Sequence, residues 1–369
     1  MHAVYKYPAR FSPEFTKSAI SIFSKPGETV IDPFCGGGTT AIESLLNGRH
    51  SLNSDLSPLA MFLTKAKTRN YSTTSLNRVK KWSDESQEAS FRDLCKHKDY
   101  LDDSSVDIGA LKLPTYSTIR IALTSWEFRL RQLGTAEDLA RLCLLRVGQR
   151  LLDLKRQKPS LDLMRRELDR AVSNTLRAVQ VFDKNIRLLD NDNSRPICKV
   201  SQTPIKEVHK EFKKQEKAKL AVFSPPYPGV HVLYPRWQIE GRKESSAPFW
   251  LAGVEGCTIE TTYTMGRRGV DKTEEFMSNY LQGVKALREV LTPDALVVQM
   301  VGFMDPKQQL PALLHCMREA GYREKKYKSC ETSADGRLWR SVPGQKWYNA
   351  VRDKKPATSR EVVLIHSMN

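Results

Sequence analysis

Three strand formers, Thr29-Val30-Ile31, lead into Asp32-Pro33-Phe34-Cys35-Gly36-Gly37-Gly38-Thr39-Thr40, and a helical pattern follows directly. That helix has Ala41, Ile42, Leu45 and Leu46 as its apolar face and Gly48 as its stop. A second strand ends at Asp55. Ser57-Pro58 then opens another helix with a capping hydroxyl and a first-turn proline, as Ser12-Pro13-Glu14 does before the glycine turn. Strand and helix alternating in this way predict a parallel, doubly wound sheet.

A strand ending in an acid, then three glycines, then a helix start suits a nucleotide-like ligand. Glycines let the backbone pass close to a ligand, and the helix N-terminus offers unpaired N–H groups. The turn lacks the lysine of a phosphate loop and the spacing of a dinucleotide fingerprint. Asp32 would repel a phosphate and attract an ammonium. Asp55, at the end of the next strand, can accept hydrogen bonds from ribose hydroxyls. A ligand with an amino group and an unphosphorylated ribose is S-adenosylmethionine. A tight structural turn would use the same glycines.

The rhythm changes near residue 73. Long helical stripes, such as Met164, Leu168, Val172, Thr175, Val179 and Phe182, dominate up to the polar break at Asp190–Ser194. Residues 74–194 therefore read as a mostly helical insertion, with 1–73 and 195–369 as the catalytic part. The sheet pattern returns at Leu220-Ala221-Val222-Phe223. Residues 228–270 look irregular. Phe276, Tyr280, Val284, Leu287 and Leu291 form a helical stripe, 296–301 a buried strand and 307–319 a helix, with strands near 323–330 and 361–366.

Directly after the strand at 220–223 stands Ser224-Pro225-Pro226-Tyr227. An exocyclic amino group on cytosine or adenine is a poor nucleophile because its lone pair is delocalised into the ring. Fixed acceptors for both N–H bonds localise that pair. The Ser224 hydroxyl and the Pro225 carbonyl can be those acceptors, and the prolines stiffen them in place. Tyr227 can stack on a base that has left the duplex. A plain proline turn capping a strand is the structural alternative.

Taken together, Asp32–Thr40, Ser224–Tyr227 and the preceding Tyr7-Pro8-Ala9-Arg10-Phe11-Ser12-Pro13 resemble the amino-methyltransferases of DNA, over about 1–70 and 195–369. The resemblance implies a Rossmann-like, S-adenosylmethionine-dependent methyltransferase fold: a mostly parallel doubly wound sheet with one antiparallel strand, here with a helical insertion. It implies Tyr7, Phe11, Asp32, Phe34, Gly36, Gly38, Thr39, Thr40 and Asp55 as cofactor residues, and Ser224, Pro225, Pro226 and Tyr227 as catalytic ones. Ser201-Gln202 is the candidate adenine contact. Serine in the first motif position leans towards N4 of cytosine, with N6 of adenine as the alternative. An RNA base, a protein glutamine and an inactive DNA-binding relative are more distant readings. C5 methylation is disfavoured, since no Pro-Cys pair supplies its nucleophile.

The chain carries 59 Lys and Arg against 42 Asp and Glu, a formal +17. That excess favours a polyanionic partner, and duplex DNA is the one expected. Cations and rings interleave at Tyr234, Arg236, Trp237, Arg242, Lys243, Arg340, Lys346 and Trp347, the candidate nucleic-acid contacts. An ordinary loop with arginines lying over buried rings would look the same. The insertion suits target recognition or homodimerisation, and a cognate restriction endonuclease is a further expected partner. Seven cysteines without CxxC spacing give zinc no support. With no signal-peptide pattern and no long apolar run, the expectation is a cytoplasmic, nucleoid-associated prokaryotic protein.

Overall fold

Serine caps start the helices where the sequence places them. In the computed structural model, Ser12 accepts from the Phe15 amide at the head of α1 (Pro13–Phe23). The chain continues through β1 (Thr29–Asp32), α2 (Thr39–Leu46) and β2 (His50–Ser54). Ser57 caps α3 (Pro58–Thr68) by accepting from Ala60 N at 3.3 Å. The residues described are 1–7, 11–98, 108–153, 159–189, 195–212, 215, 217–228, 237–239, 243–255, 265–266, 273–303, 305–327, 333–341 and 360–368.

Helices then run from α3 to the next strand: α4 (Thr73–Glu88), α5 (Phe91–Cys95), α6 (Ser117–Phe128), α7 (Glu137–Asp153) and α8 (Leu161–Arg187). Next come β3 (Cys198–Ser201), α9 (Val208–Phe212), β4 (Ala218–Phe223), a hairpin of β5 (Trp237–Ile239) and β6 (Lys243–Ser245), and α10 (Ala247–Ala252). The chain closes with α11 (Thr273–Arg288), β7 (Leu291–Gly302), α12 (Pro306–Glu319), β8 (Tyr322–Lys325), β9 (Leu338–Ser341) and β10 (Arg360–Met368).

The main sheet has the order β3-β2-β1-β4-β7-β10-β8, with β9 also on β10. Neighbours from β3 to β7 are parallel, and β10 runs antiparallel to β7, β8 and β9. The expected sheet with a reversed strand is therefore present. The chain lays β2 and β3 on one side of β1 and returns to β4 on the other. Open α/β sheets bind ligands at the carboxyl ends of strands beside such a reversal.

Alternation along each strand divides the core between two faces. Val30, Val222 and Met300 meet α1 through Ile20, while Ile31, Phe223 and Val301 belong with Tyr280 of α11 and Leu313 of α12. The helices α4, α6, α7 and α8 share a further core with Tyr5, Tyr7, Leu59 and Leu63. Trp82 and Trp126 are central to it, and both indoles donate to backbone carbonyls, of Trp126 and Ser86 respectively. Among the described residues, no helix is long and apolar enough to cross a membrane.

Three details differ from the sequence reading. The stretch expected to be irregular contains the β5–β6 hairpin and α10. Leu291 opens β7 instead of ending the helical stripe, because Pro293 disfavours helix at the residue before it. The segment around Arg340 is a strand, with Leu338 and Arg340 opposite Val363 and Glu361.

Candidate active site at the strand termini

The glycine turn is built around protein atoms. A Cβ on Gly37 would stand 2.9 Å from the Tyr7 Cβ, and one on Gly38 would stand 2.9 Å from Thr64 Oγ1 of α3. Gly36 and Gly38 also have φ of +47° and +78°, the left-handed region that side chains avoid. Buried Lys67 adds a brace by donating to the Gly37 carbonyl at 2.8 Å. The glycines thus let the N-terminal segment and α3 close on the turn. Cys35 is buried beneath it, with its thiol raised by burial and by the nearby Asp55 and Asp32, so it serves as packing.

Asp32 ends β1 and is only 3% exposed. Its Oδ1 accepts from Phe34 N at 2.9 Å. Burial pushes its carboxyl up to about 7, the Asp55 charge adds to that, and hydrogen bonds from Thr40 and Phe34 oppose it. Asp55 accepts from Gly36 N and Ser57 N, each at 2.9 Å. Burial raises it too, against those backbone donors. Each carboxylate oxygen retains acceptor capacity for a ligand.

The two threonines act inwards. Thr40 is fully buried, and its single hydroxyl proton is shared between Asp32 and the Val222 carbonyl of β4, 3.2 Å away, tying the turn to the strand that carries the proline motif. The Thr39 hydroxyl reaches the Phe11 carbonyl at 3.5 Å. The Phe11 ring lies 5.5 Å from Phe15.

Beyond β4, the Ser224 hydroxyl donates to the Met300 carbonyl of β7 at 3.0 Å. That bond fixes the proton, so the oxygen's free lone pairs can only accept. Pro225 is buried, whereas Ser224, Pro226 and Tyr227 are partly exposed. The Tyr227 ring lies where a Cβ on Gly302 would be, 2.7 Å from that position, and its hydroxyl donates to Glu361.

A cavity of about 200 Å³ joins the two halves of the site. Phe34, Asp55, Leu56, Pro226, Ile205 and Asn279 are among the residues that line it. Phe34 is steadied by Phe223, 5.6 Å away between ring centres. Ile205 fits because α11 has Gly283 beneath it, where a Cβ would come within 2.5 Å. Asn279 donates to the Met265 carbonyl at 2.6 Å. Sequence reasoning missed Ile205 and Asn279, which no local motif marks. It chose Ser201-Gln202 instead, yet Gln202 turns back to the Leu56 carbonyl and Ser201 bonds Thr203.

Of the expected nucleic-acid contacts, the structure describes the side chains of Trp237 and Arg340. Trp237 is 6% exposed, its indole donates to the Tyr5 hydroxyl at 2.9 Å, and its ring lies over Gly148 of α7. It is a core residue and does not offer its face to a base. Arg340 is held by Glu361, with Nε to Oε2 at 2.7 Å. Tyr234, Arg236, Arg242, Lys346 and Trp347 lie outside the described residues, as does the side chain of Lys243.

Residues 2–65 match the sequence model of the DNA methylase family. The chain is 27% identical over 79 residues to the type II methyltransferase M.MjaII of Methanocaldococcus jannaschii, covering 21% of this chain and 15% of that protein. It is 34% identical over 81 residues to the type II methyltransferase M.MvaI of Kocuria varians, covering 21% and 18%. The match thus spans less than a fifth of either relative's length. Among solved structures, TrmN from Thermus thermophilus aligns with a TM-score of 0.37 and 9% identity, over 97% of this chain and 49% of that one. The rRNA methyltransferase AviRa from Streptomyces viridochromogenes aligns with a TM-score of 0.38 and 11% identity, over 99% and 90%. The N-terminal segment, with its glycine turn, carries the DNA methylase family's sequence pattern.

Proposed function

From that family pattern and the site beside it, we propose that the chain is an S-adenosylmethionine-dependent DNA methyltransferase acting on an exocyclic amino group, with N4 of cytosine favoured. The observation that carries the reading is the Ser224 hydroxyl, locked as an acceptor by its bond to the Met300 carbonyl. It stands one residue from the end of β4, and Pro226 lines the same cavity as Phe34 and Asp55.

The residues fit the cofactor chemically. A buried carboxyl at Asp32 suits an ammonium, Asp55 suits ribose hydroxyls, and Phe34, Leu56 and Ile205 supply apolar walls. Tyr7 and Phe11 shape the approach to the turn, whose backbone at Gly36, Gly38, Thr39 and Thr40 frames the cofactor's methionine end. Bound there, S-adenosylmethionine supplies an electrophilic methyl group on sulfur. The chain's own work is to prepare the nucleophile. Ser224 and the Pro225 carbonyl accept the two amino N–H bonds and localise the nitrogen lone pair. Pro225 and Pro226 hold those acceptors still, and Tyr227 stacks on a base turned out of the duplex. The amino nitrogen prepared in this way would be the acceptor for that methyl group. The extra proton on nitrogen departs to solvent. Helices α4 to α8 are placed in this reading as the target-recognition region.

Serine as the first motif residue supports cytosine, by the resemblance. The test is methylation of unmethylated duplex DNA, followed by nucleoside mass spectrometry. N4-methylcytosine is expected. N6-methyladenine would overturn the base assignment and keep the family reading, and no methylated nucleoside would sink both.

A further inference from the structure

We propose that Glu361 is a positioning residue for Tyr227, an inference that rests on the reading of Ser224–Tyr227 as the catalytic motif. The register of three strands creates the arrangement. Gly302 of β7 stands opposite Glu361 of β10, which stands opposite Arg340 of β9. Paired residues across neighbouring strands share a face of the sheet. The row therefore presents a bare glycine, a carboxylate and a guanidinium side by side.

Each member has a distinct part. Gly302 leaves the space that the Tyr227 ring fills, since a Cβ there would lie 2.7 Å from two ring carbons. Glu361 is 6% exposed and takes the Tyr227 hydroxyl on Oε1. Arg340 grips the other oxygen through Nε at 2.7 Å and a terminal nitrogen at 2.6 Å. Two charged donors converging on Oε2 hold that oxygen in place and leave Oε1 to accept from the phenol. The hydroxyl is thereby committed to the protein, so the ring meets a base through its face. Tyr227 follows Pro226, and a stiff backbone on one side with an anchored hydroxyl on the other leaves the ring little freedom. Arg340, which the sequence suggests as a phosphate contact, acts here through Glu361.

The test compares single-turnover methyl transfer in Tyr227→Phe, Glu361→Ala and their double variant. Each single change should slow transfer on the order of 10- to 100-fold, as loss of a precisely held contact does. The double variant should be no slower than the worse single one, because both remove the same link. Cofactor affinity should stay within about twofold, Glu361→Gln should recover most of the rate, and Gly302→Ala should reproduce the defect with Glu361 intact. Additive effects, or a normal rate in Glu361→Ala, overturn the proposal. Should Glu361→Ala fail to fold, Tyr227→Phe and Gly302→Ala carry the test, and normal rates in both overturn it. Should the wild-type chain methylate no DNA, the catalytic reading fails on its own. A crystal structure of Glu361→Ala then decides the positioning role: a displaced Tyr227 ring upholds it and an unmoved ring overturns it.

Discussion

In the proposed reading Asp32 serves the cofactor and Ser224 the nucleophile, so their substitutions should separate. A carboxyl raised to about 7 by burial is mostly protonated in the free protein below that pH. An ammonium beside it favours the ionised form, so binding must remove the proton at acidic pH. Cofactor affinity should therefore rise with pH up to about 7 and level off above it, weakening roughly tenfold per unit on the acid side. Titration calorimetry in two buffers of different ionisation enthalpy should show close to one proton released near pH 6, and none in Asp32→Asn. A flat affinity from pH 5.5 to 8 would remove Asp32 from the ammonium site. Without ligand the sign runs the other way. A carboxyl raised above its unfolded value favours folding while it is protonated, and that contribution is lost as pH rises towards about 7. Ser224→Ala removes an acceptor and leaves Asp32, Asp55 and Phe34 in place. Its cofactor affinity should stay near wild type while methyl transfer slows on the order of 100-fold, the scale of losing one preorganised polar contact. Steady-state kinetics that instead show intact kcat with lost cofactor binding would reverse the roles given to the two strand ends.

At the scale of elements, the helices between α3 and β3 are tied to the site through Trp237 and the N-terminal segment. Gln149 of α7 donates to the Lys6 carbonyl at 2.8 Å, and Trp237 joins Tyr5 to Gly148 of the same helix. Tyr7 follows in the chain and covers Gly36 and Gly37. Gly148→Ala tests this tie. Alanine improves helix propensity by about 1 kcal/mol. Its Cβ would stand 2.6 Å from the Trp237 ring, and overpacking of that kind costs about 1–3 kcal/mol. The clash should win, lowering the urea midpoint and altering tryptophan fluorescence. An unchanged or raised midpoint would mean that Trp237 is not wedged there. The same residue marks the limit of sequence reading. A tryptophan among arginines has the texture of a nucleic-acid face, and local pattern does not reveal which neighbour its ring meets. The glycine turn and Ser224–Tyr227 were legible because each is one short stretch at a strand end. Glu361 was not, because its partners Tyr227, Gly302 and Arg340 meet only through strand register. Ile205 and Asn279 were hidden for a similar reason: a distant glycine, Gly283, makes room for one, and the other is a lone polar residue on α11.

Over the whole molecule, charge is the one feature that needs no register to read. The chain carries a formal +17, and the rings expected to share DNA binding are in part committed elsewhere, as Trp237 is to the core. With fewer stacking groups available, backbone electrostatics should supply much of the affinity for duplex DNA. A protein that neutralises phosphates releases condensed counterions, so log affinity falls linearly with log salt. If about six or more phosphates are engaged, affinity should drop on the order of 1000-fold between 50 and 200 mM salt. Cofactor affinity should change far less over that range if, as proposed, the cofactor is held by the buried carboxyls of Asp32 and Asp55, where screening is weak. Fluorescence anisotropy with a labelled duplex, beside calorimetry with the cofactor, separates the two. A steep slope for DNA and a shallow one for cofactor fit an enzyme that finds its target through the phosphate backbone. DNA binding that ignores salt would show that the positive excess lies away from the duplex, and would remove charge as a reason for choosing DNA as the substrate.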